Sequence, residues 1–205
     1  MGSTALDAFE RFHPADRPAW RAWLEAHHRT AKGVWLVTWR KAAVDAVPGR
    51  CLLTYDDGVK EALCFGWIDS KPQKLDDERT MLLYTPRKPK SAWSAPNKVR
   101  VERLLAAGAM ATKGLEMVEL ARSTGRWTAL DAVEALEVPE DLAAALEALP
   151  PASAHFAAFP RSAKRGILEW ISTAKRPETR AARVLETATL AQRNERANQW
   201  KPKPP

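Results

Sequence analysis

The chain has 205 residues, 45% of them hydrophobic and 28% charged; this is an ordinary globular balance, long enough to bury well over half of the unfolded surface without a metal or disulfide staple. Two cysteines, Cys51 and Cys64, are too few for a disulfide framework; no apolar run of about 18 residues offers a membrane-spanning helix, and no signal peptide is visible, so a cytoplasmic protein is expected. The net charge of +7 favours anionic partners, and nine tryptophans supply large apolar bodies suited to a core or to a binding surface.

Asp16 has the character of an N-cap, with Arg17 and Pro18 in the first turn. Trp20, Trp23, Leu24 and His27 follow at helical spacing. Residues 33–40, GVWLVTWR, are β-branched and aromatic and read as a strand with Trp35, Val37 and Trp39 on one face. Residues 42–51, which hold Pro48 and Gly49, read as a loop. Thr54 caps the next helix, with Asp56 and Asp57 in its first turn, Val59 and Leu63 on its buried stripe and Gly66 at its end.

Residues 67–71 and 80–85 read as strands joined by a turn near Asp76 and Asp77, and an antiparallel hairpin is their simplest pairing. Ser94, with Pro96 in the first turn, opens a helix that stops near Gly108, and Thr112 opens another that runs to Gly125. Beyond Pro139 the pattern is helical throughout, at 140–149, 152–158, 161–175 and 177–193, punctuated by Pro139, Pro150, Pro151, Pro160 and Pro177. The expected fold is α+β, a small and mostly antiparallel sheet packed with helices, followed by an all-helical C-terminal region. The expected boundaries are an α+β domain over 1–138 carrying a polar pocket, a helical region over 139–195 and a flexible tail over 196–205.

No Gly-x-Gly-x-x-Gly, no Walker loop and no Gly-x-Ser-x-Gly elbow occurs. His13, His27, His28 and His155 show no metal-ligand spacing and have no cysteine pair nearby, so neither a metal nor a cofactor is expected. Cys64 lies in an apolar run and reads as a buried, inert thiol. These absences lower the expectation of a hydrolase, kinase or dehydrogenase.

The polar residues that remain cluster between Tyr55 and Lys98. Asp69 ends an apolar stretch, where a carboxylate needs a partner, and Arg87 and Lys71 are the candidates. Glu61 lies near the start of the Asp69 strand; the two carboxylates serve either as an acid and base pair or as part of a structural salt bridge. The loop Pro86–Lys90 is rigid and cationic. Arg87, Ser91, Ser94, Asn97 and Lys98 either converge on a phosphate or carboxylate at the helix start, with Trp67 and Trp93 as aromatic surface, or simply cap the helix. From Arg161 to Lys203 eleven Lys or Arg face four Glu, which gives either an anion-binding surface or a solvated helical one.

Residues 61–69, EALCFGWID, followed by YTPRKP at 84–89 and SAWSAPNK at 91–98, resemble the YdeI/OmpD-associated family, also called bacteriocin-protection proteins. LEWISTAK at 168–175, with Glu178, Thr179, Arg180 and Arg183, is similar to that family's C-terminal helical region, and the likeness runs over roughly residues 6–190. The first half is also distantly similar to the small α+β YdhG-like proteins. The family resemblance implies a link to resistance against antimicrobial peptides and to an outer-membrane porin, and a periplasmic setting that no visible export signal supports. It carries over no catalytic residue. The leading expectation is a non-catalytic stress or antimicrobial-resistance protein that binds an anionic small molecule, phosphate or other partner through a basic, Trp-lined pocket. The alternatives are an enzyme using Glu61 or Asp69 with Arg87, and a nucleic-acid-binding protein using the basic C-terminal helices.

Overall fold

In the computed structural model, which describes residues 8–199, the local signals act as their chemistry requires. Asp16 accepts the Ala19 amide at 2.8 Å and opens helix α1, Arg17–His27, whose Trp20, Trp23 and Leu24 are buried. Thr54 accepts the Asp57 amide at 3.1 Å and opens helix α3, Tyr55–Cys64. Gly66, at φ +71°, turns the chain out of it in a conformation that a side chain resists.

The sheet has four strands: β1, Glu10–Phe12; β2, Val34–Trp39; β3, Trp67–Lys74; and β4, Arg79–Pro86. Their order is β1-β2-β4-β3, antiparallel except for the β1–β2 pair. β3 and β4 form the expected hairpin. β1 is three residues long, too short for alternation to reveal it in sequence. The loop expected over 42–51 begins instead with a short helix, α2, Lys41–Ala46. Ala42 and Ala43 carry the helix propensity, and the buried Ala43 anchors the turn before Pro48 and Gly49 break it.

Opposed residues show which side is which. Val34 faces Tyr84 and Leu36 faces Leu82, and these join the helix-covered core with Trp20, Trp23, Leu63 and Trp67. Trp35 faces Leu83 and Val37 faces Met81, and these form a separate apolar layer on the other side. Between Asp69 and Pro72 the β3–β4 register shifts by one residue. Asp69, opposite Tyr84, and Pro72, opposite Leu82, therefore share the helix-covered side, while Ser70 and Lys71 occupy the irregular step.

Helices α4, Ala95–Ala106, and α5, Thr112–Ser123, complete the N-terminal unit. Ser94 holds the N-cap position of α4, but its side chain makes no capping bond. The chain divides after Thr128 into two compact units. The C-terminal one contains α6, Asp131–Glu134; α7, Glu140–Glu147; α8, Ala152–Ala158; α9, Arg161–Ser172; and α10, Pro177–Gln192. Pro139, Pro151 and Pro160 sit at the N-cap positions of α7, α8 and α9, so the prolines punctuate the helices as expected. Among the described residues no helix is long and apolar enough to cross a membrane.

The start of α5 lies hard against the end of α3. A Cβ on Gly114 would meet the Cys64 carbonyl oxygen at 2.2 Å, and the neighbouring Ala111 amide donates to that same oxygen at 3.0 Å. Gly114→Ala is expected to lower the unfolding free energy by about 2–3 kcal/mol in urea titration. A loss under about 0.5 kcal/mol would mean that the backbones are not in contact there.

Candidate functional site

Glu61 is buried on α3, and α1 supplies its partners. Arg17 Nε donates to Oε1 at 2.6 Å and Arg21 Nη1 to Oε2 at 2.8 Å. Arg17 Nη1 also reaches Asp57 Oδ1 at 2.7 Å. Both Glu61 oxygens are thus taken by charge-assisted bonds that tie α1 to α3, and the expected pairing of Glu61 with Asp69 is not made.

Arg87 is 4% exposed. Its amide donates to the Gly66 carbonyl at 2.8 Å, and its guanidinium carbon lies 3.7 Å from the centroid of the Trp93 ring. Nη2 donates to the Ala92 carbonyl, while Nε and Nη1 have no hydrogen-bond partner. Burial pushes its pKa down to about 10, and the field of Asp69 opposes that only in part. Asp69 is not its hydrogen-bond partner. Trp93 and Trp67 are both core residues: the Trp67 indole donates to the His28 carbonyl at 3.1 Å and meets Trp23 edge-on.

Asp69 accepts from the Tyr55 hydroxyl at 2.9 Å through Oδ2, at one side of a cavity of about 540 Å³. Leu36, Thr38, Thr80, Leu82 and Tyr84 line the cavity from the sheet, and Leu52 to Tyr55 wall it. Burial, then the Asp69 hydrogen bond and charge, hold the Tyr55 pKa above its usual value. Burial does the same for Tyr84 more strongly, with Asp69 adding to it.

The other expected residues lie apart from this cavity. Asn97 Oδ1 accepts from Arg100 Nη1 at 2.9 Å, and Arg100 Nε donates to Asp56 at 2.8 Å. The Ser91 amide donates to the Lys88 carbonyl at 3.0 Å, Ser94 stands at the head of α4, and Lys98 Nζ is 6.0 Å from the Trp127 ring. Lys71 lines a different recess, of about 630 Å³, with Arg29, Lys32 and Lys88 around it and Ser70 and Thr85 among its walls. The single shared recess expected from sequence is therefore divided: a closed ion cluster at Glu61, a buried cation–π stack at Arg87, a cavity at Asp69 and a cationic recess at Lys71.

Sequence reasoning missed Arg17, Arg21 and Tyr55. The two arginines were readable in part, since they stand one turn apart on the helix that carries Trp20 and Leu24. Tyr55 left no signal, because it stands fourteen positions before Asp69 in the chain. Cys64 is buried and unpaired. Burial, with Glu61 adding to it, pushes its thiol pKa up, as an inert thiol requires. Among the described residues no group of His, Cys, Asp or Glu is arranged to hold a metal ion.

A family model described as a domain of unknown function (DUF8412) matches residues 12–117, the stretch that holds all of these site residues. The model of the bacteriocin-protection, YdeI or OmpD-associated family matches residues 135–194. The family resemblance read from sequence is thus shown in the C-terminal helices, while its first-half motifs fall within the other model's stretch. No curated protein and no solved structure matches the chain.

Removing Glu61 would strand two cations, but Arg17 and Arg21 are 42% and 34% exposed and can regain water. Glu61→Ala is therefore expected to cost about 2–3 kcal/mol in urea titration, below the loss for a fully buried pair. The chain's two tyrosines give a second check. Both are neutral below pH 10 in either state, and above it the unfolded chain ionises first. Stability should hold through neutral pH and fall from about pH 10 upward, with phenolate absorbance delayed until unfolding and the fall reduced by Tyr84→Phe. A phenolate signal near pH 10 in the folded protein would contradict this.

Proposed function

The chain belongs to the family whose model covers residues 12–117 and is described as a domain of unknown function (DUF8412), and from that premise we propose that it is a non-catalytic protein that binds an anionic partner at its basic recess. One observation carries the reading. Arg29, Lys32, Lys71 and Lys88 come from three separate segments to surround one recess with no carboxylate among its lining residues. None of the four forms an ion pair among the described residues. Like charges gathered without a counter-charge repel one another, and a phosphate or carboxylate relieves that repulsion. The Ser70 and Thr85 hydroxyls on the walls add hydrogen-bonding capacity.

The match of residues 135–194 to a family named for bacteriocin protection and OmpD association supports a stress- or resistance-type role and makes a porin a candidate partner. The enzyme reading draws less support, since Glu61 is held at both oxygens and Arg87 is enclosed. So does nucleic-acid binding by the C-terminal helices, where Arg165 is paired with Glu134 and Glu169, and Arg180 with Asp141.

Calorimetric titration with inorganic tripolyphosphate tests the proposal. Binding should weaken by roughly tenfold between about 20 and 200 mM salt and be lost in the Lys71→Glu, Lys88→Glu double variant. No heat at low salt, or affinity unchanged in that variant, would overturn it.

A further inference from the structure

The cavity beside Asp69 has the opposite electrostatic character. Its volume of about 540 Å³ is that of small-molecule sites, which run from about 300 to 1,000 Å³. Its lining is mainly apolar, with Leu36, Leu53, Pro72 and Leu82 among its aliphatic residues. Among the described residues that line it, Asp69 carries the only charge. Asp69 forms no ion pair with a described residue; the Tyr55 hydroxyl occupies Oδ2.

The nearby cations are committed elsewhere. Arg100 is held by Asp56 and Asn97, its guanidinium 5.8 Å from the Tyr55 ring, and Arg87 is stacked on Trp93. At the rim, Leu52 and Tyr55 are 39% and 58% exposed, which leaves apolar surface at the mouth.

We propose that this cavity binds a small molecule with an apolar body and one ammonium head, the head on Asp69 and the body along Leu36, Leu53 and Leu82. A partly buried carboxylate without a cation is unfavourable, and an ammonium supplies both the charge and a donor for Oδ1. The same carboxylate repels acids and phosphates, so the ligand here differs in sign from the partner of the basic recess. The one-residue register shift puts Asp69 on the cavity side and releases Lys71 to the recess.

Three ligands of matched shape provide the test: 4-phenylbutylamine, 4-phenylbutanol and 4-phenylbutyrate, titrated into the full chain with intrinsic tryptophan fluorescence, to which Trp39 at the cavity contributes, and calorimetry as readouts. The amine should bind at least about tenfold more tightly than the alcohol, and the acid should not bind. Asp69→Asn should bring amine and alcohol to equal affinity. Thr38→Phe, which fills the cavity without touching Asp69, should abolish binding of both. The Lys71→Glu, Lys88→Glu variant should leave the amine's affinity unchanged, which separates this site from the anion recess. Binding of none of the three, an alcohol or acid as tight as the amine, or a preference that survives Asp69→Asn would overturn the proposal. If Asp69→Asn does not fold, amine binding that persists in Thr38→Phe would do so.

Discussion

The one-residue shift in the β3–β4 pairing is the constraint on which the chemistry of this molecule depends. Strand side chains alternate with a period of two. In an unbroken strand Asp69 and Lys71 would project to the same side and neutralise each other. The shift between Asp69 and Pro72 prevents that. Asp69 stays with Tyr84 and Leu82 on the helix-covered side, and Lys71 lines a recess with Leu83 and Thr85, which alternate to the other side. One extra residue thus separates two recesses whose lining charges are opposite in sign along a short piece of chain.

Four tryptophans, Trp20, Trp23, Trp67 and Trp93, fill the helix-covered core. Trp20 and Trp23 stack at 5.4 Å, and Trp23 meets Trp67 edge-on at 5.8 Å. The indoles of Trp20 and Trp67 find carbonyl acceptors at Gly58 and His28. The two buried charges fare differently. Glu61 is satisfied at both oxygens. Arg87 gains about 2 kcal/mol from a desolvated aromatic face, which does not cover two unmade hydrogen bonds at about 1–3 kcal/mol each. The segment that follows β4 therefore carries a local deficit, set against the apolar burial of Trp93.

Much of the fold was legible because its punctuation is local. Asp16 and Thr54 cap their helices within three residues of chain. Gly66 ends α3 through its own φ, and the alternation of residues 34–39 needs only strand geometry. What failed was short or non-local. β1 and α6 have too few residues to show a period, and α2 was hidden by the Pro48–Gly49 signal just after it. The site was harder. That Glu61 needs a cation follows from its place on a buried stripe, but that α1 supplies it is a fact of packing. That Lys71 parts from Asp69 depends on a backbone irregularity that no residue type announces.

Charge shows the same gap between counting and pairing. The sequence concentrates its positive excess after Arg161, yet much of that charge is engaged. Arg165 is taken by Glu134 and Glu169, Arg180 by Asp141, and Arg183 donates to the Trp170 carbonyl and Thr173. Of the four cations of the recess only Lys88 belongs to a local cationic run; Arg29, Lys32 and Lys71 come from elsewhere in the chain, and the fold gathers all four with no carboxylate among the lining residues. A Coulomb field at a surface depends on which charges remain uncompensated at close range, since distant ones are screened within about 10 Å. The position of this cationic recess is therefore fixed by how the chain after α1, β3 and the chain after β4 meet, and not by where lysine and arginine are most frequent.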